Sequence, residues 1–105
     1  MPDRDGTVLV GQLVEDELTL TVDELSGVFA VERRRIVELV EEGVLPALVG
    51  EGPRFSGEAL RRARLALRMQ RDFALDAAGV ALVLQLMDRI EALETQLRGA
   101  GPRHD

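Results

Sequence analysis

The segment ALDAAGVALVLQLMDRIEALETQLR, residues 74–98, admits few folds. From Ala77 to Met87 only Gln85 is strongly polar, so a helix there is apolar on nearly every side. From Asp88 onward the chain is charged, with single apolar residues at measured intervals. Val83, Leu86, Ile90, Leu93 and Leu97 are spaced 3, 4, 3 and 4, a heptad seam of the kind that pairs helices. Val80, Leu84 and Met87 make a second stripe confined to the first half. The pattern predicts a helix that packs first on its own domain and then projects with one seam to cover. A second copy of the same helix is the simplest cover, so the chain is expected to be a homodimer. A seam folded back on its own domain is the alternative.

The preceding residues supply that domain. TVLVGQLVEDELTLT, residues 7–21, has period-two traces and β-branched residues, and reads as one or two short strands with Glu15 to Glu17 as a polar break. Thr21 followed by Glu24 is a capping box for a short helix over 22–29, which sets Val22, Leu25 and Phe29 on one face. VERRRIVELVEEGVLP predicts a second helix with Val31, Ile36, Leu39 and Val40 on its apolar side. Gly43 suits the left-handed residue past its end, and Pro46 prevents continuation. ALVGEGPRFS offers a small hairpin around GEG. Ser56 caps a third helix to about Phe73, with Leu60, Ala63, Leu67 and Ala74 inward. Leu75 and Asp76 break the pattern, and Asp76 caps the fourth helix. Two short helices, a tight turn and a following hairpin make a winged helix-turn-helix.

Several function classes are excluded at this stage. With 105 residues the chain holds one domain plus a protruding element, and little room for a deep active site. It has no Cys, and its one His, His104, lies in the tail. No glycine-rich loop opens a helix after a strand, and GEGPRF lacks the Lys and Ser/Thr of a phosphate loop. No enzyme, cofactor or metal is expected. No stretch reaches the ~18–20 apolar residues of a membrane span, and MPDRDGTVLV lacks the layout of a secretion signal. A soluble cytoplasmic protein is the expectation.

The net charge of −6 hides an uneven distribution. Residues 1–53 carry 12 acids and 4 Arg, residues 54–71 carry 6 Arg and one Glu, and residues 72–105 return to −3. Arg33, Arg34 and Arg35 open the second helix, where a DNA-reading helix presents its contacts, and Arg54 sits in the wing. Arg61, Arg62, Arg64, Arg68 and Arg71 decorate the third helix. Against DNA, the second helix also carries Glu38, Glu41 and Glu42, which would face phosphate. The spacing of Arg34 with Glu38 and of Arg68 with Asp72 accounts for some Arg by ordinary helical pairing.

LTLTVDELSGVFAVERRRIVELVEEGVL followed by PRFS resembles the MerR-like superfamily. Its DNA-binding members carry an Arg and paired aromatics before the closing Gly-Leu; those positions here hold Val37, Glu38 and Leu39. Residues 54–98, above all LALRMQRDFALDAAGVALVLQLMDRI, more closely resemble the CbpM family of chaperone modulators. That resemblance covers about residues 18–98 and, joined to the element order read above, gives a mainly α, MerR-like winged helix-turn-helix over residues 1–75, whose short N-terminal strands rest on the residue pattern alone. A dimerisation helix over 76–98 and a disordered tail over 99–105 complete it. It also implies a non-enzymatic homodimer that binds the J-domain of a DnaJ-like co-chaperone (CbpA) and stops it stimulating a DnaK-type partner. J-domains carry a basic helix beside a His-Pro-Asp turn, so contacts are expected from Glu38, Glu41 and Glu42, or from Asp88, Glu91 and Glu94. Alternatively Arg61, Arg64 and Arg68 meet the acid of that turn. The competing expectation is a MerR-type transcriptional regulator of the HspR kind, contacting DNA through Arg33, Arg34, Arg35 and Arg54.

Overall fold

A computed structural model describes residues 18–48, 50 and 52–100. Four helices account for most of them: α1 (Val22–Phe29), α2 (Arg33–Glu41), α3 (Gly57–Phe73) and α4 (Ala77–Ala100). The protein is mainly helical, and no strand occurs among the described residues. Two isolated antiparallel bridges stand in place of the expected strands and hairpin, Leu20 with Phe55 and Leu48 with Arg54. The Leu48–Arg54 bridge closes the loop around Gly50 and Gly52. The N-terminal strands expected over residues 7–21 fall mostly outside the described residues; only the single bridge at Leu20 is seen.

The helix boundaries follow from local chemistry. At α1 the capping box is complete: the Glu24 amide donates to Thr21 Oγ1 at 3.2 Å, and the Thr21 amide donates to Glu24 Oε1 at 3.0 Å. Ala30 ends α1 in the left-handed region at φ 53°, with its amide and that of Val31 satisfying the last carbonyls. Gly43, at φ +76°, follows α2 as expected and lets the Val44 amide reach the Leu39 carbonyl at 2.9 Å. Asp76 caps α4 through a 2.7 Å bond from the Gly79 amide. Ser56 occupies the cap position of α3, but its side chain makes no capping hydrogen bond, contrary to expectation.

The core forms where the four helices meet. Phe55, Leu25, Ile36, Leu39, Leu60 and Val80 are its largest fully buried side chains. On α3 the small residues Ala59, Ala63 and Ala66 are fully buried, which allows close approach by neighbouring helices. Ala74 is not on the inner face: it adopts φ 53° at the end of α3, where the chain turns toward α4, and is exposed. Leu67 is only half-buried.

On α4 burial stops abruptly. Ala77, Val80, Ala81 and Leu84 are buried, whereas every residue from Gln85 to Gly99 is exposed. The first half packs on the body, and the second half reaches past it. Of the predicted seam, Val83 is half-buried against the core; Leu86, Ile90, Leu93 and Leu97 are exposed. Leu82, at 57%, joins them, so the exposed stripe begins one residue earlier than the heptad reading placed it. The helix also continues through Gly99 and Ala100, residues expected to belong to a disordered tail; residues 101–105 lie outside the described residues.

Candidate partner-binding surfaces

The predicted contact residues separate into three surfaces. The first is acidic. Glu38, Glu41 and Glu42 come from the last turn of α2 and the residue after it. They line a depression of about 210 Å³ together with Asp76, Ala77 and Ala78 at the start of α4. The contacts of α2 with α4 bring these distant segments together. Glu38 is held by Arg34 at 2.6 Å, an i,i+4 pair. Glu41 and Glu42 are exposed. Asp76 was expected only as a cap; its part in this surface depends on the fold of α4 against α2, which no local pattern reveals.

The second acidic set does not converge. Asp88, Glu91 and Glu94 follow one another along the exposed half of α4, and Asp88 is tied to Arg62 of α3 at 3.2 Å. The Arg62 guanidinium also donates to the Val44 carbonyl at 3.3 Å. Arg62 therefore acts as a brace between α3, the end of α2 and α4, and is only one-third exposed.

The third surface is basic. Arg64 and Arg68 of α3 line a groove of about 260 Å³ with Arg35 of α2, Arg71, and the apolar Phe29, Val31 and Leu67. The Arg35 guanidinium donates to Gln70 Oε1 at 3.1 Å, which orients it along this groove. Arg61 is exposed and is not part of the lining. The expected pairing of Arg68 with Asp72 is not formed. Asp72 instead accepts from its neighbour Arg71 at 3.1 Å, and Arg68 makes no ion pair among the described residues. A stripe of 64, 67, 68 and 71 is helical spacing, so this much was legible; the contributions of Phe29, Val31 and Arg35 were not.

The four Arg proposed for DNA do not converge on one surface. Arg33 and Arg54 meet in a shallow depression of about 190 Å³ with Thr21, Val22, Asp23, Gly52 and Pro53. Arg33 is paired with Asp23 at 3.0 Å. Arg54 donates to Thr19 Oγ1 at 2.6 Å. Arg34 lies between Glu32 at 3.6 Å and Glu38, while Arg35 turns toward α3. Exposed pairs of this kind are worth ~0–1 kcal/mol, so they lower the local positive potential without locking the side chains.

Among the described residues, no cluster of acids or His has the arrangement of a metal site, and no helix is long and apolar enough to cross a membrane. The chain matches the family described as "MerR HTH family regulatory protein" over residues 20–99. It is similar to the chaperone modulatory protein CbpM of Coxiella burnetii, strains Dugway 5J108-111 and RSA 331 / Henzerling II. Each is 34% identical over 94 residues, spanning 87% of this chain and 88% of the relative. No solved structure matches the chain. The chain therefore belongs to the CbpM family within the MerR-like group.

Proposed function

We propose that this chain is a cytoplasmic chaperone modulator. As a homodimer, it binds the J-domain of a DnaJ-like co-chaperone and thereby stops that co-chaperone stimulating a DnaK-type partner. Residues 1–75 form the winged helix-turn-helix unit in this reading, and residues 76–98 form the pairing helix. The observation that carries the contact is the concave acidic surface of Glu38, Glu41, Glu42 and Asp76. A basic helix laid on it gains charge-assisted contacts and loses access to the acidic surface of the chaperone, which is inhibition by competition. Its concavity ranks it above Asp88, Glu91 and Glu94, which are strung along one helix and converge on no depression; each set has one acid in an ion pair, Glu38 with Arg34 and Asp88 with Arg62.

The test is calorimetric titration of the full chain with the J-domain of its own co-chaperone, at low salt and again with added salt. One J-domain per protomer, with affinity falling as salt rises, is the expected result. Charge reversal of Glu38, Glu41 and Glu42 to Lys should abolish binding while leaving the helical circular dichroism intact. No heat of binding at low salt would overturn the proposal.

The MerR relationship favours one second reading, a DNA-binding regulator of the HspR kind that uses Arg33, Arg34, Arg35 and Arg54. A duplex retarded in a gel by wild-type protein, and released when Arg33, Arg34 and Arg35 become Ala, would replace the first reading with this one.

A further inference from the structure

The groove between the α1–α2 turn and α3 lies apart from the acidic surface, and the proposed J-domain contact through Glu38, Glu41 and Glu42 does not use it. Among its described lining residues, Arg35, Arg64, Arg68 and Arg71 are charged, Phe29, Val31 and Leu67 are apolar, and none is a carboxylate. That is an unusual concentration on a chain of net charge −6. We propose that this groove is a second docking site, which takes an acidic polypeptide segment anchored by an apolar side chain.

Chemistry decides the class of occupant. Every one of the 13 basic residues of the chain is Arg, whose planar fork matches a carboxylate with two parallel hydrogen bonds. Arg35 is set in place by Gln70, so its fork is oriented before any ligand arrives. Arg71 is 74% exposed, and its pairing with Asp72 is weak enough to be exchanged for a ligand carboxylate. Arg68 is exposed and makes no ion pair among the described residues. The floor argues separately from the rim. A nucleic-acid backbone would engage the Arg rim and leave Phe29, Val31 and Leu67 without a partner. A peptide with alternating acidic and apolar side chains engages both. The groove is also smaller than the ~300–1,000 Å³ of ordinary small-molecule pockets, a size suited to one inserted side chain.

This inference goes beyond the J-domain reading and does not rest on it, because the two surfaces carry opposite charge. The probe is an array of short peptides built from Asp, Glu, Leu and Phe in varied order. A matching array has Asn and Gln in place of the acids, and a labelled DNA duplex forms the third arm. The full chain should bind members of the acidic array, binding should fall with salt, and the neutral array should be blank. The double variant Arg68→Glu, Arg71→Glu should bind the best peptide at least about tenfold more weakly, the scale of one lost charge-assisted hydrogen bond. Its helical content should be unchanged, since both side chains are exposed. J-domain binding through Glu38, Glu41 and Glu42 should survive in that variant, so failure of one proposal is distinguishable from failure of the other. A blank acidic array, equal binding by the double variant, or binding of the duplex in place of the peptides would each overturn the inference.

Discussion

Replacing Ile90 with Asp tests the meaning of the fourth helix. Ile90 lies past Leu84, the last buried residue of α4, and is 55% exposed. Complete burial of an Ile side chain is worth ~1.5–3 kcal/mol, so covering its exposed half adds about 1 kcal/mol or more per protomer. A two-fold pairing counts that gain twice. Asp removes the gain and sets a carboxylate among Leu86, Leu93 and their copies, where an unpaired charge costs ~3–5 kcal/mol. Even a total of ~4 kcal/mol raises the dimer dissociation constant about a thousandfold. Size-exclusion chromatography with light scattering, over a concentration series, reads the outcome. Wild-type protein should give the dimer mass and Ile90→Asp the monomer mass, with little loss of helix, because Ile90 takes no part in the buried core. Glu91→Ala, one residue off the seam, should leave the mass unchanged. A wild-type monomer at high concentration, or a variant that keeps the dimer mass, would refute the reasoning.

Three further outcomes bear on the body. Phe55→Ala, at a fully buried site, should cost ~3–5 kcal/mol in urea-induced unfolding; a loss under about 1 kcal/mol would mean that Phe55 is not part of the core. Gly43→Ala has open space around the new methyl group but must hold φ +76°. It should cost ~1 kcal/mol through the backbone alone, seen as a melting point lower by a few degrees. The Thr21 backbone amide, and secondly its hydroxyl, hold the Glu24 carboxyl below its ordinary value. The stabilisation from that bond is therefore present above the usual carboxylate range and lost as pH falls through the lowered value. Thermal melts of wild type and Glu24→Gln should converge toward acid; parallel curves would remove the capping box from the account.

What the sequence made legible depended on how local the cause was. Thr21 with Glu24, Gly43 and Asp76 act within one turn of chain, and each was read correctly from its neighbours. The division of α4 into a buried and an exposed half was readable but misplaced by a turn: the second apolar stripe runs to Met87 in the sequence, whereas burial ends at Leu84 and Met87 is 45% exposed. Ala74 was misplaced because periodicity continues through it, whereas the chain leaves the helix there in a left-handed turn. Arg68 was paired with Asp72 on spacing alone, yet Arg71 is adjacent to that carboxylate and takes it. The surfaces themselves were the least legible. Asp76 joins Glu38, Glu41 and Glu42, and Arg35 joins Arg64 and Arg68, only through the packing of α2 against α4 and α3.

That packing makes α2 the element on which partner choice turns. A helix entering a DNA groove gains from unpaired cations at and beside its inserted end, since each phosphate contact releases counterions. Along α2 the signs change instead. Arg33 is paired with Asp23 and Arg34 with Glu38, Arg35 faces α3, and the last turn presents Glu41, with Glu42 following it. Inserting the acidic end beside phosphate would add repulsion where a DNA reader gains attraction. The same polarity suits two polypeptide partners, or two segments of one: a basic helix at the Glu38–Glu42 end and an acidic segment along Arg35. A charge reversal at either end should therefore weaken one contact and spare the other, whereas a single phosphate-binding face would respond to both changes in opposite directions.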